Sequence, residues 1–257
     1  MTVGPVPALT TLTNKEPAVT EVRDDMTLGE LVNAAPTAVR ILESLGLDYC
    51  CGGQQRLTDA CRRRGIDPLD VIERIQRVPP STDEWTTMGP VELVHHLADT
   101  HHAYVRTELE RLLPLADKVL AVHGARHPEL ADVDADLRDL RDDLLPHLLK
   151  EERVLFPMIV DLARKGSLPQ LGPSNMNQPI AAMTREHDTT GELLDRLRRH
   201  AADFAVPPDA CASYASLYSG LAAFEADTHL HIHKENNLLF PAARKLEARR
   251  VGHVPVR

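Results

Sequence analysis

Hydrophobic positions recur along this chain in two regimes. From Thr27 to Val78 they form short helical patterns, interrupted by Pro36, by the turn Gly46 to Gly53 and by Gly65 to Pro68. Asp67-Pro68 reads as the start of the last of these helices, aspartate as cap and proline in the first turn. Beyond Met88 the spacing lengthens into four amphipathic segments, near 88–122, 133–165, 177–204 and 210–247. Turn residues at Gly124–Pro128, Gly166–Pro179 and Pro207–Pro208 separate them. No stretch alternates as a strand does. The pattern predicts an all-α protein: a disordered tail over 1–24, a small helical domain over 25–78, a linker over 79–88, a four-helix bundle over 89–247 and a short tail over 248–257.

Steps of three and four along each long segment trace the face expected to turn inward. The fourth gives Tyr214, Leu217, Leu221, Phe224, Thr228, His231, Glu235, Leu238 and Ala242; the second gives Leu137, Leu140, Leu144, His147, Glu151, Val154 and Met158. The third gives Ile180, Met183, His187, Thr190, Leu194, Leu197, Ala201 and Phe204. In the first, Val91, His95, Ala98, His102, Val105, Leu109, Leu112 and Ala116 make one face, whereas a face through His101 meets Glu108 and Arg111. His102 is therefore expected to point inward and His101 outward. Each segment places a histidine in mid-seam, and two add a glutamate one turn on.

Those two segments are a repeat. His147-Leu-Leu-Lys-Glu151-Glu-Arg-Val-Leu-Phe-Pro157 recurs as His231-Ile-His-Lys-Glu235-Asn-Asn-Leu-Leu-Phe-Pro241, six of the eleven positions being identical. A shared core would require matching apolar residues, not a matching His and Glu on one helix face. Leu109-Glu-Arg-Leu112 also follows His102 at the interval at which Leu194-Asp-Arg-Leu197 follows His187. The bundle thus reads as a duplicated helical hairpin with an approximate twofold axis, and the shared Leu-Phe-Pro segments should bend or loosen the second and fourth helices alike.

Six ionisable groups at the middle of one bundle need a partner. A buried carboxylate costs several kcal/mol unless it is paired or bound to a metal. Nothing basic lies on these seams; Lys150 and Lys234 sit one residue off, on flanks from which long side chains can reach water. Four imidazoles and two carboxylates without a thiolate suit iron or manganese, and the carboxylates can bridge two ions. Glu186 and Asp143 are candidates for orienting the ligands, although solvated acids are the simpler reading of both. His95 lies two turns, roughly 10 Å, from His102 and is left out.

The totals narrow the classes. A net charge of −9 argues against a general nucleic-acid or anionic-membrane surface, and there is neither a spanning apolar run nor a signal-peptide pattern. Four cysteines in 257 residues make no disulfide scaffold, which favours a reduced, cytoplasmic protein. Cys61 and Cys211 are single and read as core or surface residues. Cys50 and Cys51 are different: Asp48-Tyr-Cys-Cys-Gly-Gly53 ends a helical pattern and enters a turn, where paired glycines allow close backbone approach and exposed, reactive sulfur.

Tyr49-Cys50-Cys51-Gly52-Gly53, then a linker with Trp85, then the His-x-x-x-Glu…Leu-Phe-Pro repeats, together resemble the iron–sulfur cluster repair di-iron proteins over roughly residues 24 to 245. That family pairs a small cysteine-bearing domain with a hemerythrin-like bundle. The resemblance implies four ligand histidines at His102, His147, His187 and His231, bridging glutamates at Glu151 and Glu235, and two iron ions. These are the residues the seams select. It also implies repair of iron–sulfur proteins damaged by nitrosative or oxidative stress and a cytoplasmic homodimer. Cys50 and Cys51 are candidates for binding a cofactor, whether by receiving iron, electrons or a client's thiol. Iron donation and the handling of nitric oxide are both open to such a site. Turnover of nitric oxide, or reversible binding of it or of oxygen, are the alternatives. The longer amino-terminal tail and Pro146, beside a ligand, depart from the family pattern.

Overall fold

In the computed structural model, residues 22–79, 83–169 and 173–251 are described, and most of both expected tails and part of the expected linker lie outside them. Four short helices come first: α1 (Leu28–Ala34), α2 (Ala38–Ser44), α3 (Leu57–Arg64) and α4 (Pro68–Arg77). Thr27 and Glu30 close a capping box on α1. Asp67 caps α4 ahead of Pro68, as the sequence predicts. Leu28, Leu31, Leu42, Leu57, Val71 and Trp85 bury their side chains in a core of their own.

Four long helices follow. The first is α5 (Pro90–His96), a π-helical turn (Leu97–His102) and α6 (Ala103–His123). The second is α7 (Leu130–Lys150), a π-turn (Glu151–Leu155) and α8 (Phe156–Lys165); the third is α9 (Asn177–His200). The fourth is α10 (Ala212–Lys234), a π-turn (Glu235–Leu239) and α11 (Phe240–Val251), so its last turns enter the expected tail. The second helix packs on the first and the third, and α10 packs on α6.

Each π-turn inserts one residue and rotates the helix face beyond it. The inward seam accordingly slips by one position. Leu155 is buried where Val154 was expected, and Leu239 and Ala243 where Leu238 and Ala242 were. Ahead of His102 the buried face is Leu93, Val94 and Leu97, while His95 is exposed. The third helix has no π-turn, and its whole expected seam is buried.

Pro157 and Pro241 follow equivalent π-turns, where the backbone ladder is already interrupted, and both helices continue past them. The expected similarity holds. Pro146 lies within the unbroken α7 on its exposed side, so the carbonyl it frees faces water.

Two apolar cores divide the bundle. One holds Val105, Leu109, Leu140, Leu144, Leu194 and Phe224; the other holds Leu97, Leu155, Phe156, Met183, Leu239 and Phe240. Every one of the six expected ligands lies in sequence between a member of one core and a member of the other. A polar layer is thereby sealed between two dry ones.

Candidate metal centre

His102, Glu151, His231 and Glu235 form one set of buried groups whose ligand atoms all lie within 4.8 Å of one another; His147, Glu151, His187 and Glu235 form a second. The sets share both carboxylates and divide the four histidines by the duplication. The Nε2 atoms of His102 and His231 stand 3.2 Å apart, and those of His147 and His187 3.1 Å apart. The Glu235 carboxylate lies 3.1 Å from His187 Nε2 and 3.3 Å from His231 Nε2, and Glu151 lies 3.4 Å from His147 Nε2 and 3.5 Å from His102 Nε2. Among the described residues the buried oxygens of Glu151 and Glu235 find no hydrogen-bond donor. Converging imidazole lone pairs around orphaned carboxylate oxygens fit a pair of cations bridged by the two glutamates.

The charges in this layer hold one another. Burial alone would push the His147 imidazole down, but the Glu151 carboxylate, with Glu235 and Glu186, holds it up at about 10. Burial would push Glu235 up, yet His231 and His187 keep its carboxyl well below the usual range. Glu151 is held low in the same way, against burial and Glu235, by His147 and His102.

Three of the four converging histidines are oriented through Nδ1. His102 donates to Glu152 at 2.8 Å, His147 to Glu186 at 2.9 Å and His187 to the Asn236 side-chain oxygen at 3.0 Å. Glu186 also accepts from Lys150 at 2.6 Å, and is therefore a bound partner rather than a solvated acid. Asp143 accepts from Thr190 Oγ1 instead, at 2.7 Å. Glu152 and Asn236 were not singled out in the sequence, although a signal existed: they occupy the same place in the repeat, one residue past the ligand glutamate.

The expectation for His101 is half corrected. His102 does join one of the two converging sets, but His101 is buried too, because the π-turn brings both neighbours inside. Lys234 also departs from its expected flank. Its ammonium is buried, donating to His96 Nε2 at 2.8 Å and His101 Nε2 at 2.7 Å, and lies 5.1 Å over the Trp85 ring. Burial pushes it down to about 8.

The cysteine turn packs against this layer from outside. The Asp48 carboxylate accepts the backbone N–H groups of Cys50, Cys51 and Gly52, which closes the turn. Asn237 donates from its side chain to the carbonyls of Tyr49 and Cys50, each at 3.3 Å, and Asn236 reaches Cys50 O at 3.5 Å. Both sulfurs were expected to be exposed. Cys50 is buried, and its neighbour Cys51, burial and Asp48 push its thiol well up, so it is no thiolate. Cys51 is partly open, on a cleft of about 920 Å³ between the small helices and α9 and α10.

The bundle and its converging imidazole–carboxylate sets define a hemerythrin-like cation-binding protein, and residues 93–243 match the family model described as Hemerythrin HHE cation binding domain. Residues 24–78 match the ScdA_N model, a domain of unknown function. Among curated proteins the chain is 35% identical over 227 residues to the iron-sulfur cluster repair protein YtfE of Dickeya chrysanthemi (strain Ech1591), covering 87% of this chain and 98% of that one. It is 34% identical over 228 residues to YtfE of Musicola paradisiaca (strain Ech703) and over 227 residues to YtfE of Yersinia pestis, with the same coverage. The chain belongs to the YtfE family of iron–sulfur cluster repair proteins.

Proposed function

We propose that this chain is a di-iron protein that repairs iron–sulfur clusters damaged by nitrosative or oxidative stress, by donating iron, by handling nitric oxide, or by both. The observation that carries the reading is the pair of four-residue sets sharing Glu151 and Glu235. His102, His147, His187 and His231 complete the ligand set, each ion taking two imidazoles and both carboxylates. Hard carboxylates with borderline imidazoles suit iron, which when bound supplies redox change and open positions for a small ligand. The chain's own residues orient the imidazoles, keep the layer dry and present Cys51 to the cleft, where a client's damaged cluster could approach. What its relatives are named for supports the repair role.

In this reading residues 25–78 are the client-facing domain, 79–88 a linker and 89–247 the iron-binding bundle. The protein acts in the cytoplasm as a homodimer. Among the described residues no helix is long and apolar enough to cross a membrane.

The test is the iron content and optical spectrum of anaerobically purified protein, followed by reactivation of a dehydratase whose cluster nitric oxide has damaged. Two irons per chain and restored dehydratase activity are expected. Protein without iron, or iron-loaded protein that restores nothing, would overturn the reading. Steady consumption of nitric oxide with an electron donor would make it a reductase instead.

A further inference from the structure

Each half of the centre keeps one carboxylate partner, Glu152 on His102 and Glu186 on His147, and the duplication fails at the second histidine, where His187 has Asn236 and His231 has no counterpart among the described residues. His147 donates through Nδ1 to Glu186, the residue before His187, and Glu186 is held by Lys150, the residue before Glu151. The twofold relation places His231, His101 and Lys234 in those three roles. Lys234 does hold His101, at 2.7 Å. But His101 offers no carboxylate, and Nδ1 of His231 is buried without a hydrogen-bond partner among the described residues. The His101 ring instead stacks on the His231 ring, with centroids 5.6 Å apart and planes at 6°.

The chemistry at His101 explains why it cannot accept from His231. An ammonium has only protons to give, so Lys234 occupies Nε2 of His101 as donor. Nδ1 therefore carries the proton, and it donates to Asp227 Oδ1 at 3.0 Å. Both nitrogens are used, and only the ring face remains for His231. A carboxylate on the far nitrogen fixes a ligand imidazole and makes it a better electron donor, and losing such a partner typically lowers metal affinity about 10- to 100-fold. In addition, a buried cation, Lys234, hydrogen-bonds the ring that stacks on His231. His187 on the other half keeps its partner, Asn236.

Resting on the di-iron reading, we propose that the two ions are unequal. The ion held by His102 and His231 is the exchangeable one, the ion held by His147 and His187 stays, and His101 is the positioning residue that sets the difference. A protein that gives up iron and keeps a folded bundle needs such an inequality. One ion can leave while the other still offsets the buried carboxylates.

The experiment is transfer of iron from the full-length, anaerobically loaded protein to an excess of a ferrous chelator. Two phases of one ion each are expected, with rates differing at least about 10-fold. His101→Glu rebuilds the Lys150–Glu186 arrangement on this half and gives His231 Nδ1 an acceptor, so the fast phase should slow toward the slow one. His101→Gln, which keeps an acceptor oxygen without adding charge, is the second variant should the first fold poorly. Glu152→Gln weakens the partner of His102 and should quicken the fast phase alone, whereas Glu186→Gln should quicken the slow phase alone. A single phase carrying both ions, or a fast phase unmoved by either His101 substitution in folded protein, would overturn the inequality. Wild-type protein that never loads iron would sink the di-iron reading itself.

Discussion

The sulfur of Cys51 lies 3.4 Å from the backbone oxygen of His187, so the cysteine turn of the small domain touches the helix that brings His187 into one of the converging sets. In sequence the two are remote, and nothing on the bundle seams calls for a sulfur. In space Asn236 joins them, since one side chain accepts from His187 Nδ1 and reaches Cys50 O. The small domain is therefore a cover over one flank of the centre. Its own sulfurs take no part in the two ligand sets.

Changing Cys50 and Cys51 together to serine should leave the bundle's iron content and optical spectrum nearly intact. A hydroxyl can still donate to the His187 carbonyl, and the Asp48 bonds to the turn are backbone ones. Reactivation of a damaged cluster should nonetheless fall severalfold, because a hydroxyl is neither a soft ligand nor a redox group. Metal analysis beside a coupled repair assay separates these. Unimpaired repair would reduce the motif to a structural turn, and lost iron would make the cover part of the site.

Gly53→Ala should loosen the cover. A Cβ at Gly53 would stand 2.6 Å from the Asn237 side-chain amide and 2.7 Å from the Tyr49 carbonyl, a backbone atom that cannot swing aside as a side-chain tip can. Overpacking of this kind costs about 1–3 kcal/mol. The chain's single tryptophan, Trp85, lies under the Lys234 ammonium and reports the contact. Its fluorescence should shift and protease cleavage near the linker should speed up, with the bundle still helical. An unchanged emission spectrum and digestion rate would rule out this role for the glycine.

The six side chains that converge in the bundle were legible in the sequence because burial of a charge is expensive and the repeat displays the same charges twice. The elements around them were less so. A seam counted in steps of three and four presumes an unbroken α-helix, so it failed ahead of the π-turn in the first long helix and beyond those in the second and fourth, and held along α9, which has none. Lys234 reads as a flank position by that count, yet the π-turn at 97–102 brings His101 in to meet it. The closure of the cysteine turn by Asp48 is local and could be anticipated. The contact of that turn with α9 joins residues far apart in the chain, and no periodicity encodes it.

Docking of the small domain should depend on pH through Glu43 and His229, whose side chains meet at 2.8 Å across the two units. Burial pushes the Glu43 carboxyl up, but His229 and Tyr49 hold it below its ordinary value of 4.5. Burial pushes the His229 imidazole down, but Glu43 holds it above 6.5. The Glu43 contribution is thus present above 4.5 and lost as pH falls through the depressed value. The His229 contribution is present below 6.5 and lost as pH rises through the raised one. Stability should peak between these limits, and Glu43→Gln should flatten both shoulders. A melting temperature whose pH dependence is the same in wild type and Glu43→Gln would contradict the linkage.

Stripping the metal should soften the bundle, and Glu151→Ala or Glu235→Ala should abolish most metal binding while His101→Ala retains it. Each glutamate belongs to both ligand sets, so one substitution damages both ion positions at once. Stripped of cations, the two buried carboxylates must be balanced by protons on the imidazoles beside them. His147, held against burial at about 10 by Glu151, Glu235 and Glu186, has to release its proton before it can ligate. Iron uptake should therefore liberate protons, and affinity should climb as pH rises toward that value. Proton release by calorimetry in two buffers, with melting curves of the loaded and stripped forms, checks both statements. A stripped protein melting no lower than the loaded one, or uptake that releases no protons near neutral pH, would mean that this layer is stabilised without metal.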